Sequence, residues 1–289
     1  MMAEALPSAI AEVSHSRLGL FEKCPRAFYH AYVKQTPPDG YERAEAWTGT
    51  LVHRVLEEAL RQTLAKKVPD PVWILQRFDE LWKAETGPHV LIVKAGMTLD
   101  HYHDNGRQWL KNYVDQAWPF VQGGVPLHLE EEVSFPLALA DGTQVTFRGT
   151  LDRVDRLDDG RLRLIDYKTG NRVPAFVEPR DAFQLALYWR GLMARYPDTS
   201  GGVLVWHYLQ HQHAKRLDPE PTLLGEAEKW VVRTVTNIRA KLTDPGDAES
   251  RFPAKPGPLC RWCEYGYACE SNPNRASAPA PRPITVPSG

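Results

Sequence analysis

Apolar residues recur every three or four positions through the first part of the chain and every second position through its middle. Leu18, Leu20, Phe21, Phe28 and Tyr32 predict a helix that Ser14 or Ser16 can cap, stepping at Cys24-Pro25 and stopped by Pro37, Pro38 and Gly40. Leu51, Val55, Leu56, Ala59 and Leu60 share one face of a second helix over Trp47 to Lys67, with His53 on a neighbouring face. Val72 to Glu85 and Leu99 to Val121 read as two further helices whose aromatic residues are packing. From Leu127 the period becomes two, over Leu127 to Leu139, Gln144 to Leu157 and Arg161 to Lys168, with Asp141-Gly142 and Asp158-Asp159-Gly160 as turns. That pattern predicts a three-stranded meander. A helix over Pro179 to Arg195, a strand over Gly202 to Leu209 and a long helix over Glu220 to Leu242 follow. The expected organisation is a flexible start (1–13), a helical region (14–126), an α/β core (127–243), a cysteine-bearing region packed on the N-terminal helix (244–270) and a disordered Pro, Ser and Ala tail (271–289).

Composition narrows the function classes. With 43% hydrophobic and 25% charged residues the 289-residue chain is ordinary globular material. Its longest aliphatic runs fall far short of the roughly 18 residues a membrane helix needs. Glu4 and Pro7 spoil a secretory start, so the expected compartment is the cytoplasm, with no membrane partner. Lys and Arg total 35 against 36 acids, which removes a global positive field but leaves room for a local phosphate-binding groove.

The second turn carries candidate chemistry. With Asp158-Asp159-Gly160 as a three-residue loop whose last position is left-handed, Asp155 faces Arg163, Val154 faces Leu164, Leu151 faces Tyr167 and Asp152 faces Asp166. A two-residue loop would instead set Arg156 against Arg163 and send Asp152 and Asp166 to opposite faces. The first register matches charges better. It sets two carboxylates side by side with Lys168 on the same face, and facing carboxylates need a proton or a cation between them. Oxygen donors of this kind suit Mg²⁺ or Mn²⁺, while a structural ion-pair cluster neutralised by Lys168 is the plainer reading.

The four cysteines, Cys24 and the C-x2-C-x5-C set Cys260, Cys263 and Cys269, suit metal ligation or buried thiols better than disulfides in a reducing compartment. Three of them sit close together around Trp262 and Tyr265, and Cys24 is the one remaining candidate for a fourth ligand. Thiolates fit either Zn²⁺ or an iron-sulfur cluster, and free thiols stay open.

Taken together, G-T-L-V-H (Gly49 to His53), G-T-L-D-R-V-D (Gly149 to Asp155), I-D-Y-K-T-G (Ile165 to Gly170) and Q-x-x-x-Y (Gln184 to Tyr188) resemble the RecB-type branch of the PD-(D/E)XK nucleases. Leu151 stands where the superfamily's name has proline. The cysteine arrangement is similar to that of the iron-sulfur CRISPR-associated exonucleases and AddB-like nuclease domains. The resemblance implies a restriction-endonuclease-like α/β core, a mixed central sheet flanked by helices, with additional helices and a [4Fe-4S] staple held by Cys24, Cys260, Cys263 and Cys269. It implies that His53, Asp152, Asp166 and the main-chain carbonyl of Tyr167 hold Mn²⁺ or Mg²⁺. Lys168 would act on the attacking water, and Gln184 and Tyr188 would contact Lys168 or the DNA backbone. A competing zinc pair of His53 with Glu57 lacks the second histidine of H-E-x-x-H. The implied activity is a DNA exonuclease preferring single-stranded ends, in repair, recombination or CRISPR- and phage-related processing, with a helicase or recombination partner; a DNA-binding accessory subunit with a vestigial site is the alternative. Arg26, Arg148, Arg153, Arg156, Arg172 and Arg180 are candidate phosphate contacts, and Trp47 and Tyr188 candidate base-stacking residues.

Overall fold

Gly142 and Gly160, at φ +82° and +84°, close the two turns that the sequence marks, in a region of backbone space that favours glycine. The turns join β2 (Gly124–Ala138), β3 (Gln144–Leu157) and β4 (Leu162–Lys168) into the expected meander. The computed structural model describes residues 8–282 apart from 122, 171 and 178. Upstream lie β1 (Glu12–Val13), α1 (His15–Lys23), α2 (Ala44–Leu64), α3 (Pro71–Glu85) and α4 (Leu99–Ala117); downstream lie α5 (Pro179–Met193), β5 (Gly202–Tyr208), β6 (His213–Leu217) and α6 (Pro221–Thr243). Among the described residues six strands form one mixed sheet, in the order β1, β3, β4, β5, β6, with β2 on the other edge of β3. β4 and β5 run parallel, joined by α5.

Two hydrophobic cores cover the two faces. Val133, Phe147, Val154, Leu164 and Leu204 pack with Leu18, Leu187 and Trp230 from α1, α5 and α6. Leu129, Ile165, Tyr167 and Val205 pack with Leu56, Phe78 and Leu110 from α2, α3 and α4. Helices on both faces of a mixed sheet satisfy its two apolar sides at once. No described helix is long and apolar enough to cross a membrane.

Strand β3 is longer than its neighbours on one side. Along that edge β1 pairs with Thr146 and Phe147, and β4 pairs only from Arg153 onward. Residues 148–152 therefore have no strand partner on this edge among the described residues. The gap is where the functional groups gather.

Several expectations change. Residues 8–13 do not read as flexible: Ile10 and Val13 are buried and Glu12–Val13 adds a strand to β3. Of the tail expected to be disordered, residues 271–282 pack onto the body. Asn272 is buried, and the Arg282 N–H donates to the Asp39 carbonyl at 2.9 Å. Lack of periodicity hid these contacts because they are made by turns and single hydrogen bonds. Residues 1–7 and 283–289 lie outside the described residues. Strand β6 was not expected, since His213-Ala214-Lys215-Arg216-Leu217 is charged, as befits the edge of a sheet. The N-terminal helix breaks at Cys24, where Pro25 begins a new turn and leaves Cys24 extended (φ −156°, ψ 102°).

Candidate active site

The hairpin register is the one with the three-residue loop: Arg153 faces Ile165, Val154 faces Leu164 and Asp155 faces Arg163. The main-chain ladder then stops, one pair short of Asp152 and Asp166. In place of a ladder bond the Asp152 carboxylate accepts from the Tyr167 N–H at 2.7 Å. This holds Asp152 at the mouth of the gap and leaves the Tyr167 carbonyl facing α2. There His53 Nε2 lies 3.0 Å from that carbonyl oxygen, and its Nδ1 lies 3.6 Å from Asp152 Oδ2. A neutral imidazole can donate to only one of these two acceptors. Carbonyl, carboxylate and ring nitrogen thus converge in a way that a cation would satisfy.

Two motif glycines make the convergence possible. A side chain at Gly49 would begin 2.8 Å from Thr169 Oγ1, so α2 crosses the end of β4 closely enough for His53, one turn further on, to reach Tyr167. A side chain at Gly149 would meet the Tyr188 ring at 2.0 Å. That ring fills the gap beside β3.

Lys168 Nζ stands 2.7 Å from Asp166 Oδ2, close enough for an ion pair but without hydrogen-bond direction, so this buried carboxylate oxygen lacks a proper partner. The same ammonium donates to Gln184 Oε1 at 3.3 Å, and Gln184 Nε2 donates to the Tyr188 hydroxyl at 3.3 Å. Burial works to lower the Lys168 pKa, but the Asp166 and Asp152 carboxylates raise it on balance. The group is held charged. Burial pushes Asp152 up to about 6, with Asp166 adding to the rise and His53 opposing it.

Glu130 belongs to this site and was missed. It lies on β2 between the facing pairs Leu129–Arg153 and Glu131–Leu151, which sets it across from Asp152. Its φ is +48°, rare for a side chain of this size. Around this kink the strands exchange faces: Val133 and Leu151 belong to the core against α5, Leu129 to the core against α2. His53, Glu130 and Asp152 each offer a ligand atom, all within 4.8 Å of one another, the one such group among the described residues. Burial first, then Asp152, pushes Glu130 up to about 7. The visible signal was the run Glu130-Glu131-Glu132, which interrupts the two-residue period of the strand.

Two clefts flank the site. One of about 490 Å³ is lined by Thr50, His53, Arg54, Glu130 and Thr169, and another of about 510 Å³ by Lys168, Gly170, Arg172, Asp181 and Tyr208. Of the expected phosphate contacts, Arg172 lines a cleft. Arg153 does not: it is 2% exposed and bound to Asp155 on the far side of the sheet. Arg148 pairs with Glu12, Arg180 with Glu22, and Arg26 lies 3.8 Å from Glu249, while Arg156 stacks over the Tyr196 ring. Trp47 donates to Thr86 Oγ1 at 3.0 Å and meets the His89 ring edge-on, which is packing. Glu57 turns away to Arg61, so the His53 and Glu57 zinc pair is not formed.

At the C-terminal end of α1, Cys24 lines one cavity together with Cys260, Cys263 and Cys269, although Cys24 and Cys260 lie at opposite ends of the chain. No three of their sulfurs come within 4.8 Å of one another, wider than the roughly 3.8 Å implied by tetrahedral bonds of about 2.3 Å to one zinc ion. Burial, then the neighbouring thiols, pushes Cys263 up to about 11. The Cys263 thiol is therefore neutral at neutral pH.

The sequence profile of the PD-(D/E)XK nuclease superfamily matches residues 12–270. Gene 69 protein of Mycobacterium phage D29 is 33% identical over 288 residues, covering 89% of this chain and 95% of that protein. A subunit of the ATP-dependent helicase/deoxyribonuclease of Clostridioides difficile strain 630 is 24% identical over 196 residues. That match takes in 61% of this chain and 17% of the longer protein. Among solved structures, SSO0001 superposes with a TM-score of 0.40 at 16% identity, covering 91% of this chain and 87% of that one.

Proposed function

The chain belongs to the PD-(D/E)XK nuclease superfamily, and from that premise we propose that it is a deoxyribonuclease dependent on Mn²⁺ or Mg²⁺ that degrades DNA from single-stranded ends. The observation that carries the reading is the meeting of the His53 ring, through Nδ1 with Asp152 Oδ2 and through Nε2 with the Tyr167 carbonyl, beside the Asp166–Lys168 pair. The donor set fits a divalent cation. His53, Asp152, Asp166 and Tyr167 would hold it, with Glu130 as a further carboxylate, and the imidazole among the oxygens favours Mn²⁺ over Mg²⁺. Such a cation, when bound, lowers the pKa of water and polarises a phosphoryl oxygen.

The chain's own groups do the rest. Lys168, kept charged by Asp166, orients the attacking water and faces the negative charge that develops on the scissile phosphate. Gln184 fixes the ammonium by accepting from it, and Tyr188 fixes Gln184 in turn. Arg172 reaches phosphates in the cleft on the Lys168 side. The clefts, at about 490 and 510 Å³, have the size of ordinary ligand pockets, which leaves room for nucleotides beside the site.

The four cysteines would hold a [4Fe-4S] cluster as a staple between the chain ends; their lining of one shared cavity supports a common ligand site. The similarity to part of a helicase/deoxyribonuclease suggests work beside a helicase in repair or recombination, and the likeness to a phage protein suggests phage DNA processing. A cytoplasmic setting fits both.

Incubating the protein with 5′- and 3′-labelled single- and double-stranded DNA tests the reading. Single strands should be shortened from an end with Mn²⁺, more slowly with Mg²⁺, and not at all with EDTA. Cleavage that survives EDTA, or no cleavage of any substrate by cluster-loaded protein, would contradict it.

A further inference from the structure

Tyr167 sits between Asp166 and Lys168, and its main chain is unusually committed: the N–H goes to the Asp152 carboxylate and the carbonyl to His53. Because the ladder to β3 ends at Ile165, no strand fixes that side of the residue. Its side chain, 5% exposed, points the other way, beneath the sheet. There its hydroxyl lies 2.9 Å from the hydroxyl of Tyr113 on α4. Arg153 Nη1 donates to Tyr113 Oη at 3.0 Å, which anchors the Tyr113 end of the hydroxyl pair. Arg153 is held in turn by Asp155 (Nε to Oδ1, 2.5 Å) and by the Phe120 carbonyl (2.6 Å), and Asp155 by Arg163 (2.9 Å). With Arg153 at 2% and Asp155 at 0% exposure, no water can replace a lost member.

We propose that Tyr113 is a positioning residue for the metal site: by clamping the Tyr167 side chain through the hydroxyl pair that Arg153 anchors, it sets the Tyr167 carbonyl and N–H at the distances His53 and Asp152 require. The inference rests on the metal-binding reading of the sheet site. Nothing in the family motifs marks Tyr113, which lies on a helix that the sequence reads as packing. Its position is informative because it touches no catalytic side chain. It acts on the one ligand that mutation cannot remove, a main-chain carbonyl. The ring is also wedged between Phe120, stacked at 5.6 Å, and the edge of His207 at 4.9 Å, so Phe at this position would keep the packing and lose only the hydroxyl.

The test titrates Mn²⁺ into the full chain without DNA, following the free ion by electron paramagnetic resonance. Wild type should bind the ion. In Tyr113→Phe the dissociation constant should rise by about 10-fold, the usual scale for partners that orient a ligand. At saturating Mn²⁺ the cleavage rate should stay within about threefold, because Lys168 and Asp166 are untouched. Tyr167→Phe removes the other hydroxyl and should weaken binding similarly, and the double variant should be little worse than either. A lower melting temperature with unchanged Mn²⁺ affinity in Tyr113→Phe would make the residue merely structural and overturn the proposal. Should Tyr113→Phe fail to fold, unchanged affinity in Tyr167→Phe overturns it equally. Wild type that binds no Mn²⁺ would refute the metal reading itself, and this inference with it.

Discussion

The carboxylates of the sheet site come from residues 130 to 166 and are placed by strand register, whereas the thiols of the cysteine cavity come from residue 24 and residues 260 to 269 and meet only when the chain ends come together. At neutral pH the two places also differ in charge. Burial first, and each other's company second, makes the carboxylates resist ionising, with Asp152 near 6 and Glu130 near 7, while the Cys263 thiol at about 11 stays neutral without difficulty. Removing metal therefore should have opposite consequences. The sheet site should keep its geometry and gain electrostatic strain; the cysteine cavity should lose the proposed crosslink and gain freedom. On the proposed reading one place does chemistry on a rigid frame and the other holds the frame together.

The largest effect expected on the catalytic side is from Lys168→Ala or Asp166→Ala. Nuclease activity should fall by at least about 1,000-fold, with a melting temperature close to wild type, because the frame does not depend on them. Near wild-type cleavage in either purified variant would remove the residue from the site. Cys24→Ser should do the reverse. Losing a crosslink that spans residues 24 to 260 costs on the order of 4 kcal/mol by chain entropy, so thermal stability should drop sharply while activity falls only with the folded fraction. Full stability in that variant, with the iron and sulfide content of wild-type protein purified without oxygen at zero, would end the idea of a staple.

A pH titration of metal-free protein sharpens the contrast. Asp152 and Glu130 have folded pKa values raised above their ordinary carboxylate values, so between about pH 4 and 7 the folded state carries protons that the unfolded chain has released. Stability should fall as pH rises through that window, by up to about 3 kcal/mol for Asp152. Added Mn²⁺ should reverse the slope, and Asp152→Asn should remove only the Asp152 share, because burial first and Asp152 second raise Glu130. A flat profile would show that these carboxylates are not crowded. Smallest is the effect of His53→Ala, which should weaken metal affinity by about 10-fold, more for Mn²⁺ than for Mg²⁺ because the lost nitrogen is the donor that favours Mn²⁺. Identical titrations with both ions would exclude His53 as a ligand.

How much was legible follows the same division. The hairpin register could be reasoned from charge matching at Asp155 and Arg163, and it placed Asp152, Asp166 and Lys168 correctly on one side. It missed that the ladder ends early and that the Asp152 carboxylate, rather than its main chain, meets Tyr167. A ladder rule cannot foresee a side chain replacing a main-chain acceptor. Glu130 was hidden because a left-handed residue within a strand breaks the two-residue rule that the reading relied on. Arg153 was misplaced among the phosphate contacts because a residue next to Asp152 seems near the cleft, yet the alternation of strand faces sends it under the sheet. The packed segments 8–13 and 271–282 escaped since short contacts by Val13, Asn272 and Arg282 leave no periodic trace.

The central claim is that the sheet site is a divalent-cation centre. Anomalous scattering from crystals soaked in Mn²⁺ tests it most directly. A single strong peak is expected at about 2.0 to 2.4 Å from His53 Nδ1 or Nε2, from Asp152 and Asp166 and from the Tyr167 carbonyl oxygen, and it should be absent from Asp166→Ala crystals. Strong Mn²⁺ peaks elsewhere on the protein with none between these residues, at ion concentrations that support cleavage, would contradict the account.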